Sequence, residues 1–191
     1  SGWQLADLRG RKLLKPYISL ITKIVPDHQN WYENMGDYVS DKRLIYADQT
    51  KEDFTIVDYD GDAIGTGPMC GGTWGDLFAR ETKATVLRYS QCDLGKNKYF
   101  INGAWQSFND DNVFSGMVKL PSWQSAQRVL GKLKVPGRHM RSNTLNAALV
   151  LALMNVEQSK IEEILAEWTG IPHRLQYFHS WKGPDGNTYK F

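Results

Sequence analysis

Four places in the chain carry side chains able to do chemistry. Asp27-His28 follows Pro26 at the end of an apolar, β-branched run. Lys42 falls in an apolar stripe with Val39, Ile45 and Tyr46. His139 and Asn143 flank the start of a helical pattern, and His173-Arg174 follows its successor. Each place also has a plain structural explanation. A lone histidine such as His28 commonly caps a loop, and a lysine stem can lie along apolar surface while its ammonium reaches water. His139 reads equally well as an ordinary loop residue, and Arg174 as the partner of any nearby carboxylate. Two phosphate-binding signatures are missing. Gly65-Thr66-Gly67 lacks the third glycine of the dinucleotide fingerprint because position 70 is Cys, and no G-x-x-x-x-G-K-[ST] occurs. The glycine-rich stretch 61–75 therefore reads as a connecting loop.

The elements that would position these residues are an α/β set. Tyr17 to Val25 is almost continuously apolar and β-branched, as a strand buried on both faces should be. Asp27-His28 then stands past a strand's carboxyl end, the edge where open α/β sheets bind ligands. Asp37 to Ala47 reads as a helix and Phe54 to Tyr59 as a second strand, which makes a strand–helix–strand unit. From Ala84 to about Leu120 the pattern shortens. Lys98–Ile101 and Ala104–Phe108 flank Asn102-Gly103, a strong hairpin signal, and Val113 to Leu120 follows as another strand. A small antiparallel sheet attached to the α/β core is expected there. Two helices come next. One is capped by Ser142, with Leu145, Ala148, Leu149, Ala152 and Leu153 as its buried stripe. The other opens on a Ser159–Glu162 capping box, with Ile161, Ile164, Leu165 and Trp168 at helical spacing. Leu175 to Trp181 and Thr188 to Phe191 read as strands around a Gly-Pro-Asp-Gly turn.

Composition narrows the function classes. A net charge of +2 over 191 residues points to neither a nucleic-acid nor a membrane partner, and the basic cluster at Arg9, Arg11, Lys12 and Lys15 reads as a solvated face. Two widely spaced cysteines, Cys70 and Cys92, form no disulfide framework and fit a reducing, cytoplasmic compartment. No apolar run reaches the length of a membrane span. The chain opens without Met and closes on β-forming residues, so it reads as a fragment. From residues alone the expectation is an α/β domain with a ligand site at its strand ends.

Five segments, in order, go further. Ser1-Gly2-Trp3-Gln4-Leu5 resembles S-S-[FW]-Q-L, and Ile24-Val25-Pro26-Asp27-His28 resembles N-V-x-P-D-H. Tyr38 to Tyr46 resembles Y-x-x-x-K-x-x-I-[YF]. Gly137 to Asn143 is similar to G-x-H-N-x-x-N, and Thr169 to Arg174 to T-G-L-P-H-R. These are motifs of the Mur ligase family, and the first is the form found in its D-glutamate-adding members. The resemblance implies an ATP-dependent amide ligase of peptidoglycan precursor synthesis, with ATP and Mg2+ as cofactors. Its small-molecule substrates would be UDP-N-acetylmuramoyl-L-alanine and D-glutamate, and the protein a monomer.

The same resemblance implies residue roles. Lys42 would be carboxylated by carbon dioxide, turning a cation into an oxygen ligand for magnesium, and His28 would be a ligand of the second magnesium or a contact to the substrate. Asn143 and His139 would serve the ATP site, Asn143 at the adenine, and Arg174 would reach the phosphates. Ser1 and Gln4 would lie at the muramoyl substrate. Departures from the pattern are Gly2 for the second serine, Met140 for asparagine, Gln176 for glutamate and Asn30 for aspartate. The implied fold is α/β: the second half of a parallel nucleotide-binding sheet with a small antiparallel sheet, through residue 170. The first hairpin of a Rossmann-like carboxy-terminal domain would start at residue 171. The phosphate loop and the amino-terminal domain would lie outside the fragment, leaving it inactive alone. The competing expectations are a related Mur or folylpolyglutamate-type ligase with another acceptor, and a non-catalytic nucleotide- or metabolite-binding module.

Overall fold

The computed structural model describes residues 2–27, 30–61, 72–94, 102–109, 114–135, 137–172 and 179–190. Six strands form one sheet in sequential order, β1 to β6. Strands β1 (Ile18–Ile21), β2 (Phe54–Asp58), β3 (Thr85–Ser90) and β4 (Gly103–Phe108) pair in parallel, Ile18 opposite Phe54 and Phe54 opposite Thr85. Strands β5 (Phe114–Lys119) and β6 (Gln127–Leu130) continue the same sheet in antiparallel sense. The antiparallel part expected within 84–120 is thus joined edge to edge with the parallel part. A separate two-stranded sheet, β7 (Ser180–Lys182) with β8 (Thr188–Lys190), closes the described chain.

Successive side chains on a strand point to opposite faces, and the sheet uses both. Ile56 and Leu87, each 0% exposed, look toward helices α4 (Arg138–Leu153) and α5 (Gln158–Glu167). They meet there the stripe Leu145, Ala148, Leu149, Ala152 and Leu153. Ile21 and Val57 look the other way, toward α2 (Met35–Lys42), a 3-10 turn over Arg43–Tyr46, and α3 (Trp74–Glu81). A first short helix, α1 (Gly2–Asp7), packs against α2.

Several local expectations are corrected. The first strand is shorter than its apolar run, ending at Ile21. Ser142 does not cap α4: the cap position is Gly137, and Ser142 is buried one turn inside. The Ser159–Glu162 capping box does not form, because the cap position is Glu157, Ser159 donates to Glu157, and Glu162 pairs with Arg128 at 3.0 Å. Ile161 is fully buried but Ile164 is half exposed.

The hairpin reading of Asn102-Gly103 meets an occupied sheet. Gly103, Ala104 and Trp105 already have β3 on one side and β5 on the other, while residues 98–101 lie outside the described residues. Gly103 instead begins β4 at a φ of +143°, and a Cβ there would lie 1.8 Å from the Arg88 carbonyl oxygen. Glycine is needed for the backbone approach, not for a turn.

Candidate functional site

The carboxyl ends of β1, β2 and β3 open on one edge of the sheet, where α4 also begins. A cavity of about 300 Å³ lies there, lined among others by Lys23, Asp58, Asp60, Arg138, His139 and Asn143. This brings two predicted residues, His139 and Asn143, to the strand-end edge, both on the first two turns of α4 and both exposed. The first turn of a helix offers unsatisfied N–H groups and the positive end of its dipole, which favour anions. No side chain caps α4. Gly137, at a φ of +92°, lets the His139 ring fold close: a Cβ at 137 would be 3.0 Å from His139 Cε1. Met140, one of the departures from the family pattern, is buried and outside this lining.

Asp58 and Asp60 belong to this edge and went unnoticed in the sequence. Asp58 is 8% exposed, and burial pushes its carboxyl up to about 6, against the pull of the Asp60 N–H and of the Lys23 and Arg88 charges. Asp60 in turn accepts a 2.6 Å hydrogen bond from Ser90 Oγ. The available signal was their position, the last residue of a buried strand and two residues on.

Lys42 lies at the end of α2 and lines a second cavity, of about 260 Å³, with Leu5, Leu20, Ile21 and Ile45. Asn34 caps that helix by accepting from the Asp37 N–H at 3.0 Å. Lys42 Nζ sits over the Tyr38 ring, 5.1 Å from its centroid. Burial and then the charge of Asp27 raise the Tyr38 phenol above its ordinary value. Helix α1 closes against the same place, where a Cβ at Gly2 would be 3.9 Å from Lys42 Cε. The structure therefore brings Gly2 and Leu5 of α1 beside Lys42, with the Asp27 charge acting on the Tyr38 ring that Lys42 covers. Gln4 is exposed on α1 and outside the lining of the Lys42 cavity. Ser1, His28, His173, Arg174 and Gln176 lie outside the described residues.

The two cavities are not independent. Thr22 and Lys23, immediately past β1, line both of them and also the narrow crevice between, which reaches Asp58, Gly61 and Gly75. Among the described residues no cluster of three or more His, Cys, Asp or Glu side chains is placed to cage a metal.

Comparison with known proteins decides the family. Residues 2–151 match the Mur ligase middle domain. The chain belongs to the Mur ligase family. Relatives similar to this Mur ligase chain include the UDP-N-acetylmuramoylalanine--D-glutamate ligase of Lacticaseibacillus casei (strain BL23), 27% identical over 178 residues. That match covers 93% of this chain and 33% of the relative. The ligase of the same name from Listeria monocytogenes serotype 4b (strain F2365) is likewise 27% identical, again over 93% of this chain and 33% of the relative. The chain thus spans about a third of the length of the curated relatives it matches. Among solved structures, MurF from Acinetobacter baumannii (crystal structure I) shares the fold with a TM-score of 0.62 at 16% identity. It covers 94% of this chain and 34% of that one. No helix among the described residues is long and apolar enough to cross a membrane.

Proposed function

We propose that this chain is part of the central domain of an ATP-dependent amide ligase that adds D-glutamate to UDP-N-acetylmuramoyl-L-alanine. Residues 1–170 would belong to that domain and residues 171–191 begin the carboxy-terminal one. The observation that carries the reading is the convergence of Lys42 and α1 beside a cavity joined by Thr22 and Lys23 to a second cavity at the start of α4. The printed activity of the relatives named above supplies the substrates.

In this reading a muramoyl carboxylate oxygen attacks the γ-phosphorus of ATP. The bond to the ADP oxygen breaks, giving an acyl phosphate. The D-glutamate amine then attacks the acyl carbon, a C–N bond forms, phosphate leaves, and the amine proton is lost. The α4 end of the edge would bind the nucleotide, with Asn143 and His139 beside it and Arg174 reaching the phosphates. Lys42, as a carbamate, and His28 would hold magnesium, with Ser1 and Gln4 at the muramoyl substrate. The Lys42 side chain lines a cavity whose walls are mainly apolar, with Leu5, Leu20, Ile21 and Ile45 around it. Magnesium, when bound, offsets charge on phosphoryl oxygens and aligns the reactants. The chain holds no G-x-x-x-x-G-K-[ST], so its isolated form would not turn over ATP. The full-length protein would act in the cytoplasm as a monomer.

A panel of amino-acid acceptors offered to the full-length protein with ATP and UDP-N-acetylmuramoyl-L-alanine tests this. Release of ADP that depends on D-glutamate supports it. Release that depends on another amino acid moves the assignment to a sister ligase.

A further inference from the structure

We propose that Lys23 is a catalytic residue of this ligase, its ammonium holding the phosphoryl group as it passes from the nucleotide-side cavity to the substrate-side cavity. The inference rests on the ligase reading above and adds a residue to it.

The argument is one of position. Phosphoryl transfer to a carboxylate requires the group to cross whatever separates the two reactants. Here the wall common to both cavities, and to the crevice between them, is Thr22 and Lys23. Only Lys23 of the two is charged. Arg138 lines the nucleotide-side cavity alone, and Lys42 the substrate-side cavity alone. Lys23 follows β1 by two residues, so its backbone is anchored by the parallel ladder while its side chain remains exposed. A four-carbon stem with a compact ammonium can follow a moving anion over a few ångströms, which a rigid planar guanidinium does less well.

Asp58 supplies the counter-charge. It faces both the crevice and the nucleotide-side cavity, and the Lys23 charge acts on its carboxyl. During transfer the non-bridging phosphoryl oxygens accept from the ammonium, which stays protonated throughout. Such a group accelerates the step because the charge it meets is greatest in the transition state.

The test compares Lys23→Met, Lys23→Arg and Lys23→Met/Asp58→Asn in the full-length protein. Lys23→Met is expected to lower kcat about 100-fold, as removal of one preorganised donor does, while KM for D-glutamate stays put. Lys23→Arg should recover part of the loss, and the double variant should not. A Lys23→Met enzyme with wild-type kcat overturns the inference and leaves the ligase reading standing. Recovery of kcat in the double variant also overturns it, because Lys23 would then serve only to neutralise Asp58. A wild-type protein that releases no ADP with the muramoyl substrate and D-glutamate overturns the ligase reading, and this inference with it.

Discussion

The Tyr32 hydroxyl donates a 2.9 Å hydrogen bond to Asp41 Oδ2, and Gly2 packs against that same hydroxyl, where a Cβ would stand only 3.0 Å away. Arg9 completes the arrangement by pairing with Asp41 Oδ1 at 2.5 Å. Three stretches of chain are tied here: α1 with its exit, the loop after β1, and α2. Burial and the Asp41 carboxylate push the Tyr32 phenol up to about 12, so the donor persists at any working pH. Lys42 is the next residue along α2, and this knot fixes the helix end that carries it.

Tyr32→Phe is expected to cost about 1.5 kcal/mol, the value of a hydrogen bond to a charged group. Gly2→Ser should also destabilise, by forcing the hydroxyl off Asp41. The two changes made together should cost less than their sum by at least about 0.5 kcal/mol, because the phenyl ring leaves room for the serine. Urea unfolding of the four proteins measures the cycle, and strict additivity would refute the contact.

Asp58 gives a pH signature. Its folded value of about 6 lies above the ordinary 3.8, so the stability linked to its protonated form is full below 3.8 and lost as pH rises through about 6. Asp58→Asn keeps an oxygen to accept from the Asp60 N–H and removes the cost of ionising a buried carboxyl. The variant should match wild type near pH 3 and exceed it by up to about 3 kcal/mol above pH 7. Urea midpoints at the two pH values check this, and a difference that is equal at both would be the wrong sign of mechanism.

Gly103→Ala should destabilise by about 3 kcal/mol or more, since a φ of +143° and a 1.8 Å approach to the Arg88 carbonyl both oppose a side chain. A thermal midpoint within a degree or two of wild type would contradict the β3–β4 pairing.

Gly103 also shows where the sequence was misleading and why. Asn-Gly signals a turn because of local backbone freedom, but the same freedom serves a close strand approach, and only the neighbours decide between them. The parallel ladder was legible because strands buried on both faces leave continuous apolar runs, as in Phe54–Asp58. The stripe of α4 was legible from its period. Other elements left little local trace. Strand β6 is Gln-Arg-Val-Leu, with no alternation to read, and α1 has only six residues. Helix α3 was masked by the glycine-rich stretch before it, although Thr73 and Asp76 form a reciprocal cap around its first turn. Of the candidate site, Lys42, His139 and Asn143 were found from their types and motifs, and the structure sets each on a cavity wall. Lys23 and Asp58 were missed, because a residue that joins two cavities is defined by three strands at once and by no spacing along the chain.

The most direct test of the central claim is ADP release by the full-length protein with UDP-N-acetylmuramoyl-L-alanine and D-glutamate, comparing wild type with Lys42→Ala with and without a short carboxylate. The account predicts activity in wild type, its loss in Lys42→Ala, and partial return when the carboxylate supplies the missing oxygen ligand. Full activity in Lys42→Ala, or none in wild type, would contradict it.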